Sequence, residues 1–275
     1  YISHVNYNTV IAIPYDMYVS GYGSTGVSTL RLWKAQAPSF DMKEFNEGNY
    51  EQALSRNSMA NAISKVLYPN DNHLEGKSLR LRQQYFLCAA AIGDIVNHHM
   101  NVYGTLENLH EKVAIHINDT HPTLAIPELM RVLLDDCGYT WEKAWHIVTN
   151  TFAYTNHTVM AEALEKWPLD YLEEVVPHLV VIIKKLDAII REKYEDPRVQ
   201  IIDKDNRVHM AHMDIHYGFS VNGVAALHTE ILKNSELKPF YDIYPEKFNN
   251  KTNGITFRRW LLHCNRELAQ YIESL

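Results

Sequence analysis

Cysteine is scarce in this sequence, which has only three in 275 residues: Cys88, Cys137 and Cys264. An odd number without paired spacing argues against a disulfide framework and against a thiolate zinc site. Each thiol lies within an apolar helical pattern. We therefore expect reduced, packed thiols of the kind found in cytoplasmic proteins.

Positive charge is also limited. Lysine and arginine total 26 against 33 aspartate and glutamate residues, which gives a formal net charge of −7. A protein that binds duplex nucleic acid needs a basic face to neutralise phosphates, so this charge argues against that class. No apolar run is long enough to cross a bilayer, and no signal peptide opens the chain. We expect neither a nucleic-acid partner nor a membrane partner.

Several catalytic motifs are missing or incomplete. Nucleophilic hydrolysis has no support, because the sequence contains no Gly-x-Ser-x-Gly elbow. The fifteen histidines include a close group at 209–216, but its spacing lacks the zinc-binding pattern, so we expect structural histidines and no metal site. The glycines at 21–26 have GxGxxG spacing, yet a strand pattern follows at 27–33 instead of a helix, which argues against a nicotinamide-dependent enzyme.

What the sequence does contain is an ordinary globular composition, 46% hydrophobic and 21% charged, and a length sufficient for one or two α/β domains. It begins with Tyr1 and ends at Leu275 within a helical pattern, which suggests part of a longer polypeptide. Alternating strand and helix patterns favour a parallel sheet. The predicted strands are 9–13 (ended by Pro14), 27–33, 113–117, 151–154 and a hairpin of 199–202 with 207–210. The predicted helices are 49–66, 77–99, 124–137, 140–150, 162–167, 169–176, 177–195, 221–233 and 256–275.

Polar residues are concentrated where the strand at 113–117 ends and a helix begins. They are Asn118, Asp119, Thr120 and His121. One interpretation is purely structural, since Thr120 can cap a helix and Pro122 suits its first turn. The other is chemical, because ligands of open α/β sheets bind beyond the carboxyl ends of the strands.

The same arrangement recurs after the strand at 151–154, where Asn156, His157 and Thr158 follow. Two strand ends that carry amides and imidazoles are difficult to explain by capping alone. These groups both donate and accept hydrogen bonds, which suits a hydroxyl-rich ligand such as a sugar. The short polar residues at 70–72 are either an exposed turn or a flexible gate over this site.

Seven sequence words, in order along nearly the whole chain, resemble the α-glucan phosphorylases, which include the glycogen, starch and maltodextrin phosphorylases. They are RLWKA (31–35), VLYPNDN (66–72), NDTHP (118–122), AIPELMR (125–131), YTNHTV (154–159), VNGVA (221–225) and NKTNGIT (250–256).

The resemblance implies a two-lobed glycosyltransferase of the GT-B kind that uses pyridoxal phosphate and is a homodimer when full-length. Such enzymes transfer the terminal α-1,4-linked glucose of a glucan to orthophosphate and release glucose 1-phosphate. On this basis residues 1–253 form part of the N-terminal, Rossmann-like lobe with its parallel sheet, and 254–275 begin the crossover into the cofactor lobe. No stretch matches the family's cofactor lysine or phosphate-binding residues, so we expect this fragment to bind no cofactor and to be inactive alone.

The resemblance also assigns the glucose site to seven residues: Asp71, Asn72, Arg80, Asp119, His121, His157 and Asn253. The first two would lie on a mobile gate loop, with the arginine behind it. The histidine at 157 and Asn253 would hold the sugar's 6-hydroxyl, and the main chain at 157 would assist the transition state. Asp119 and His121 would support the rim of the pocket.

Two departures from the animal enzymes favour a bacterial type. Asn97 and His98 stand where those enzymes carry an arginine pair that binds the phosphate of AMP, and Phe219 replaces a histidine. Neutral side chains cannot substitute for two guanidinium groups. The alternative to an enzyme fragment is a non-catalytic oligosaccharide-binding fragment.

Overall fold

The computed structural model describes residues 7–38, 40 and 42–275. Tyr1, which we interpreted as a cut end, lies outside the described residues. The strands are β1 (Ile11–Ser20), β2 (Val27–Gln36), β3 (Ile115–Asn118), β4 (Phe152–Thr155), β5 (Lys166–Pro168), β6 (Arg207–His209), β7 (Ser220–Gly223) and β8 (Phe248–Asn250). The helices are α1 (Met42–Asn46), α2 (Tyr50–Ala62), α3 (Leu74–Tyr103), α4 (Leu109–Lys112), α5 (Ala125–Arg131), α6 (Trp141–Thr149), α7 (Leu169–Val175), α8 (Pro177–Lys193), α9 (Met210–Tyr217), α10 (Ala226–Ile231), α11 (Lys238–Ile243) and α12 (Arg266–Glu273).

The central sheet has four parallel strands in the order β3-β4-β7-β8. Phe152 is opposite Ile115, Val221 is opposite Tyr154, and the final pair aligns Val221 with Phe248. Helices connect these strands, as parallel pairing requires. The prediction of an α/β fold with a parallel sheet is therefore confirmed.

The core forms where α3, α5 and α8 pack beside this sheet. Phe152, Tyr154 and Val221 are almost completely buried, as is Leu129 on α5. Helix α5 contacts both α3 and α8. Burying each such side chain stabilises the fold by about 1.5–3 kcal/mol, so packing of the helices fixes the position of the short strands.

The first predicted strand was too short. Strand β1 continues through Pro14 to Ser20 and pairs antiparallel with β2 in a separate two-stranded sheet. Both strands of such a ribbon are edge strands, where a proline can place its missing N–H away from the partner.

Three other predictions were wrong in part. The helix at 162–167 is instead a short 3₁₀ turn followed by β5, because Trp167 precedes a proline, which disfavours helical backbone. The hairpin survives only as a bridge between Ile202 and Val208, and β6 pairs mainly with β5. The helix predicted at 221–233 begins with β7, and α10 starts only at Ala226.

The three cysteines are free thiols, but only Cys88 is buried, whereas Cys137 and Cys264 are exposed. The expectation of packed thiols is correct for Cys88 alone, because Cys137 and Cys264 are C-cap residues that follow the ends of short helical turns. Among the described residues, every helix is too short or too polar to cross a membrane.

The loop before α3 presses directly against the first turn of that helix. His73 accepts a hydrogen bond from the Gly76 N–H at 3.0 Å and so caps α3. A Cβ atom added to Gly76 would lie 1.9 Å from the backbone oxygen of Asn70. The loop that carries Asp71 and Asn72 can therefore adopt its observed position only because residue 76 is a glycine.

We expect Gly76→Ala to destabilise the chain by about 1–3 kcal/mol, because the new methyl group would force the backbone at Asn70 to move. Gly93→Ala is the matched control, since it lies on the same helix with open space around its Cβ position. The control should gain about 0.5–1 kcal/mol from helix propensity. Urea unfolding measures both changes, and equal effects of the two substitutions would contradict this account.

Candidate functional site

The carboxyl ends of the parallel strands meet at one edge of the sheet. Backbone pairing continues past β3, where the Asp119 N–H donates to Thr155 O at 3.0 Å. It also continues past β4, where the Asn156 N–H donates to Asn222 O at 2.9 Å. The side chain of Thr155 then donates to Asn222 Oδ1 at 2.8 Å. The polar residues after β3 and β4 are thus adjacent in space, as predicted.

A cavity of about 760 Å³ opens beside this edge. Its walls come from the loop before α3, the turn after β3, and the segment that leads into β5. Four of the seven predicted residues line it: Asp71, Arg80, Asp119 and His121. The structure therefore brings together the proposed gate loop and the proposed rim.

Charges of both signs line the cavity in equal number. The cationic side chains are Lys77, Arg80, Lys166 and Arg207, and the anionic ones are Asp71, Asp119, Glu162 and Glu165. Tyr68 and Trp167 add aromatic surface, and the guanidinium of Arg80 lies 4.4 Å from the centre of the Tyr68 ring. Such a wall offers many donors and acceptors to a neutral polar ligand without a strong field of either sign.

Asp119 has an unusual backbone conformation for a residue other than glycine, with φ at 61°. Its Oδ1 atom accepts a hydrogen bond from the Thr120 N–H at 2.7 Å, which compensates in part for the left-handed conformation. Residues held in such conformations cluster at functional sites. The conformation turns the chain sharply between β3 and the helix that follows.

Glu165 is a central residue of the site that the sequence reasoning missed. Its Oε1 atom accepts from Gln84 Nε2 at 2.7 Å and from Trp167 Nε1 at 2.8 Å, and its Oε2 atom accepts from Thr120 Oγ1 at 2.9 Å. Thr120 therefore bonds to this carboxylate instead of capping a helix. The incorrect helix prediction at 162–167 concealed the residue, because it placed Glu165 on an ordinary helix face.

The other three predicted residues do not line the cavity. His157 is exposed, and its Nε2 atom lies 2.5 Å from Asn118 Oδ1 across the ends of β3 and β4. Asn72 is exposed on the loop, where its backbone N–H donates to Asn70 Oδ1 at 3.0 Å. Asn253 is exposed after β8, with its N–H bonded to Val224 O at 3.0 Å. His157 and Asn253 follow strands of the parallel sheet and Asn72 lies beside Asp71 on the loop before α3, but the side chains of these three residues do not line the cavity with Asp119.

Asn156 supports the structural interpretation. It is buried, its amide nitrogen donates to Tyr154 Oη at 3.0 Å, and its Oδ1 atom accepts from the Thr158 N–H at 2.9 Å. This is a turn-stabilising arrangement, which fixes the backbone on both sides of His157.

The histidines at 209–216 are packed structural groups. His209 bonds to Asp203 at 2.8 Å, His212 to Gln200 O at 2.6 Å, and His216 to both Val199 O and Tyr244 Oη. Burial lowers the pKa of His212 to about 3 and that of His216 to about 4. Across residues 7–38, 40 and 42–275, no group of three or more His, Cys, Asp or Glu side chains is arranged to hold a metal ion.

The chain matches the family model described as carbohydrate phosphorylase over residues 1–275. The maltodextrin phosphorylase of Streptococcus pneumoniae serotype 4 is 51% identical over 268 residues, which cover 97% of this chain and 35% of that protein. The brain form of glycogen phosphorylase from Rattus norvegicus is 47% identical over 283 residues, with 96% and 34% covered. The muscle form from Ovis aries is 45% identical over 288 residues, with 98% and 34% covered. The chain thus spans about a third of the length of the curated relatives it matches.

We expect the stability of the chain to fall as the pH decreases from about 6.5 to 4. His216 has an ordinary pKa of 6.5 but about 4 when folded, so in this range the unfolded state binds a proton that the folded state does not. His216 stabilises the folded chain by on the order of 3 kcal/mol above pH 6.5, and this contribution is lost as the pH decreases toward 4.

Urea unfolding as a function of pH tests this expectation with two variants. His216→Gln should show a shallower loss than the unsubstituted chain, whereas His98→Gln, at an exposed position on α3, should leave the pH dependence unchanged. A loss of equal slope in all three proteins would show that His216 does not contribute.

Proposed function

This chain belongs to the carbohydrate phosphorylase family, and on that premise we propose that it forms part of an α-1,4-glucan phosphorylase. In this proposal the full-length enzyme transfers the terminal α-1,4-linked glucose of a glucan to orthophosphate and releases glucose 1-phosphate. The observation that carries the proposal is the charge-balanced cavity at the carboxyl edge of the parallel sheet. Two of the sequence words that resemble the family, VLYPNDN and NDTHP, contribute residues to its walls.

We propose a positioning role for the predicted site residues. Asp71, Arg80, Asp119 and His121, which line the cavity, would form one wall of the sugar site. His157 is aligned by its bond to Asn118, so its imidazole is oriented to hold a sugar hydroxyl. Asn253 is exposed after β8 and Asn72 is exposed on the gate loop, and movement of that loop would bring Asn72 toward the sugar. Fixed donors and acceptors of this kind orient a substrate before reaction.

The finer architecture is also part of the proposal. The four-stranded parallel sheet would belong to the N-terminal lobe of a GT-B glycosyltransferase, with 1–253 in that lobe. Residues 254–275 would begin the crossover to a second lobe. In support of this boundary, Ala269 is the one buried residue among 254–275, all of which the structure describes. The exposed faces of Phe257, Trp260 and Leu268 suit a segment that packs against further chain.

The family uses pyridoxal phosphate, and we propose that the lysines of this chain do not hold it. Such a cofactor needs a lysine amine that is free to form an imine. Lys247 is half-buried, which lowers its pKa to about 8, yet its ammonium donates to the carbonyls of Ile215 and His216 at 2.9 and 3.0 Å. Lys77 and Lys166, which line the cavity, are exposed. We propose that residues outside this chain hold the cofactor and that the chain contributes the glucan side of the cleft.

A bacterial type of enzyme is consistent with the exposed Asn97 and His98, which replace the arginine pair of the animal forms. The 51% identity to a bacterial maltodextrin phosphorylase, against 45% and 47% to the animal forms above, agrees with this. A homodimeric full-length enzyme and a cytoplasmic location complete the proposal. The free thiols of the three cysteines suit a reducing compartment.

We expect this chain alone to produce no glucose 1-phosphate from maltoheptaose and orthophosphate, because it spans about a third of its relatives. A coupled assay for the product tests this, with a full-length relative as the positive control. Turnover by the chain alone would refute this part of the proposal. Tight binding of maltoheptaose in calorimetry, without turnover, would favour a non-catalytic oligosaccharide-binding fragment.

In the full-length enzyme that contains this segment, we expect His157→Ala to lower kcat by about 10²-fold, in the range of lost substrate positioning. Affinity for the outer glucan chain should change much less, because the imidazole would contact only the terminal sugar. Steady-state kinetics with maltoheptaose measures both quantities. The control is His146→Ala, which changes a histidine on α6 that does not line the cavity. Equal losses of turnover and affinity in His157→Ala would indicate that His157 only binds the glucan.

A further inference from the structure

A carboxylic acid is buried beneath the turn that carries Asp119. Asp214, on α9, has no solvent exposure, and neither has Thr123. Its Oδ2 atom lies 2.7 Å from Thr123 Oγ1, and the same Oγ1 lies 2.8 Å from Thr120 O. The carboxyl thus reaches the turn between β3 and α5 through one threonine hydroxyl.

The number of available hydrogens limits the directions that these two bonds can take. The Thr120 carbonyl carries no hydrogen and can only accept, and the Thr123 hydroxyl carries one. If that hydrogen bonds to the Thr120 carbonyl, the short contact between Oγ1 and Oδ2 needs a second hydrogen. Only the carboxyl of Asp214 can supply it.

The surroundings of Asp214 also favour the neutral acid. Its other oxygen, Oδ1, is buried with no hydrogen-bond partner in the described part of the chain, which is far more costly for a carboxylate than for an acid. The titratable groups that face it are Asp119 and Glu165 across the turn, Tyr154 on β4 and Cys88 on α3. None of these is a cation. Burial accordingly raises the pKa of Asp214 well above its ordinary value.

We propose that Asp214 is a positioning residue whose protonated carboxyl donates to Thr123 and, through that hydroxyl, fixes the Thr120 carbonyl and the Asp119–His121 wall of the cavity. Thr120 is then held at two points, since its hydroxyl bonds to Glu165 at 2.9 Å. The turn needs this support because Asp119 has a left-handed backbone. The link to turnover rests on the function proposed above.

The protonation state can be tested on this chain without any activity. Unfolding of the unsubstituted chain would release the proton of Asp214 into water. Above about pH 5, the unfolding constant of this chain should therefore increase more steeply with pH than that of Asp214→Asn, by up to about tenfold for each pH unit. The amide retains a donor toward Thr123 and does not titrate. Parallel pH profiles of the two proteins would overturn the proposal.

The positioning role is tested in the full-length enzyme that contains this segment. Thr123→Val and Asp214→Val should each lower kcat by about tenfold while the glucan KM changes less than twofold, and the double variant should lose no more than either one. Asp214→Asn should remain within about twofold of the parent enzyme. Thr151→Val is the matched control, because Thr151 is equally buried and its hydroxyl also bonds to a carbonyl, at the opposite end of β4.

The outcomes separate the two proposals. A loss of thermal stability with unchanged kcat in Thr123→Val would overturn the positioning role, as would an equal effect of Thr151→Val on kcat. If Asp214→Val does not fold, Thr123→Val and Asp214→Asn still decide the question. If the unsubstituted full-length enzyme shows no phosphorolysis, the proposed function fails, whereas the pH comparison still tests the protonated link.

Discussion

Parallel pairing of β3, β4, β7 and β8 is the constraint on which the rest of this structure depends. Parallel strands deliver their carboxyl ends to one edge, whatever lies between them in the chain. Each strand is only three or four residues long, so pairing alone could not maintain the alignment. Buried side chains such as Phe152 and Val221 anchor the strands against the helices. The polar residues that follow are therefore placed by the packing of apolar ones.

Two of these strands were predictable from sequence and two were not. The strands before Asn118 and Asn156 have consecutive apolar residues and are followed by polar turns. Strands β7 and β8, by contrast, contain Asn222, Asn249 and Asn250, residues that are disfavoured in strands. They are strands because neighbouring strands offer them hydrogen-bond partners. Such tertiary effects leave no periodic signal in a short segment.

The candidate site shows the same division. Asp119 and His121 could be identified because they follow a recognisable strand, and the family resemblance added Asp71 and Arg80. Glu165 and Asp214 could not be identified, because their importance comes from partners far away in sequence. Glu165 bonds to Gln84, and Asp214 bonds to Thr123. A buried acid on a helix looks the same in sequence as one that faces water.

The equal numbers of opposite charges around the cavity have a kinetic consequence. A wall without net charge has a potential that decreases steeply with distance, and salt screens what remains within about 10 Å. A neutral saccharide, the ligand proposed above, would gain no long-range attraction on its approach. Its encounter rate should then be set by diffusion and geometry and be nearly independent of ionic strength, in contrast to the electrostatically steered capture of charged ligands.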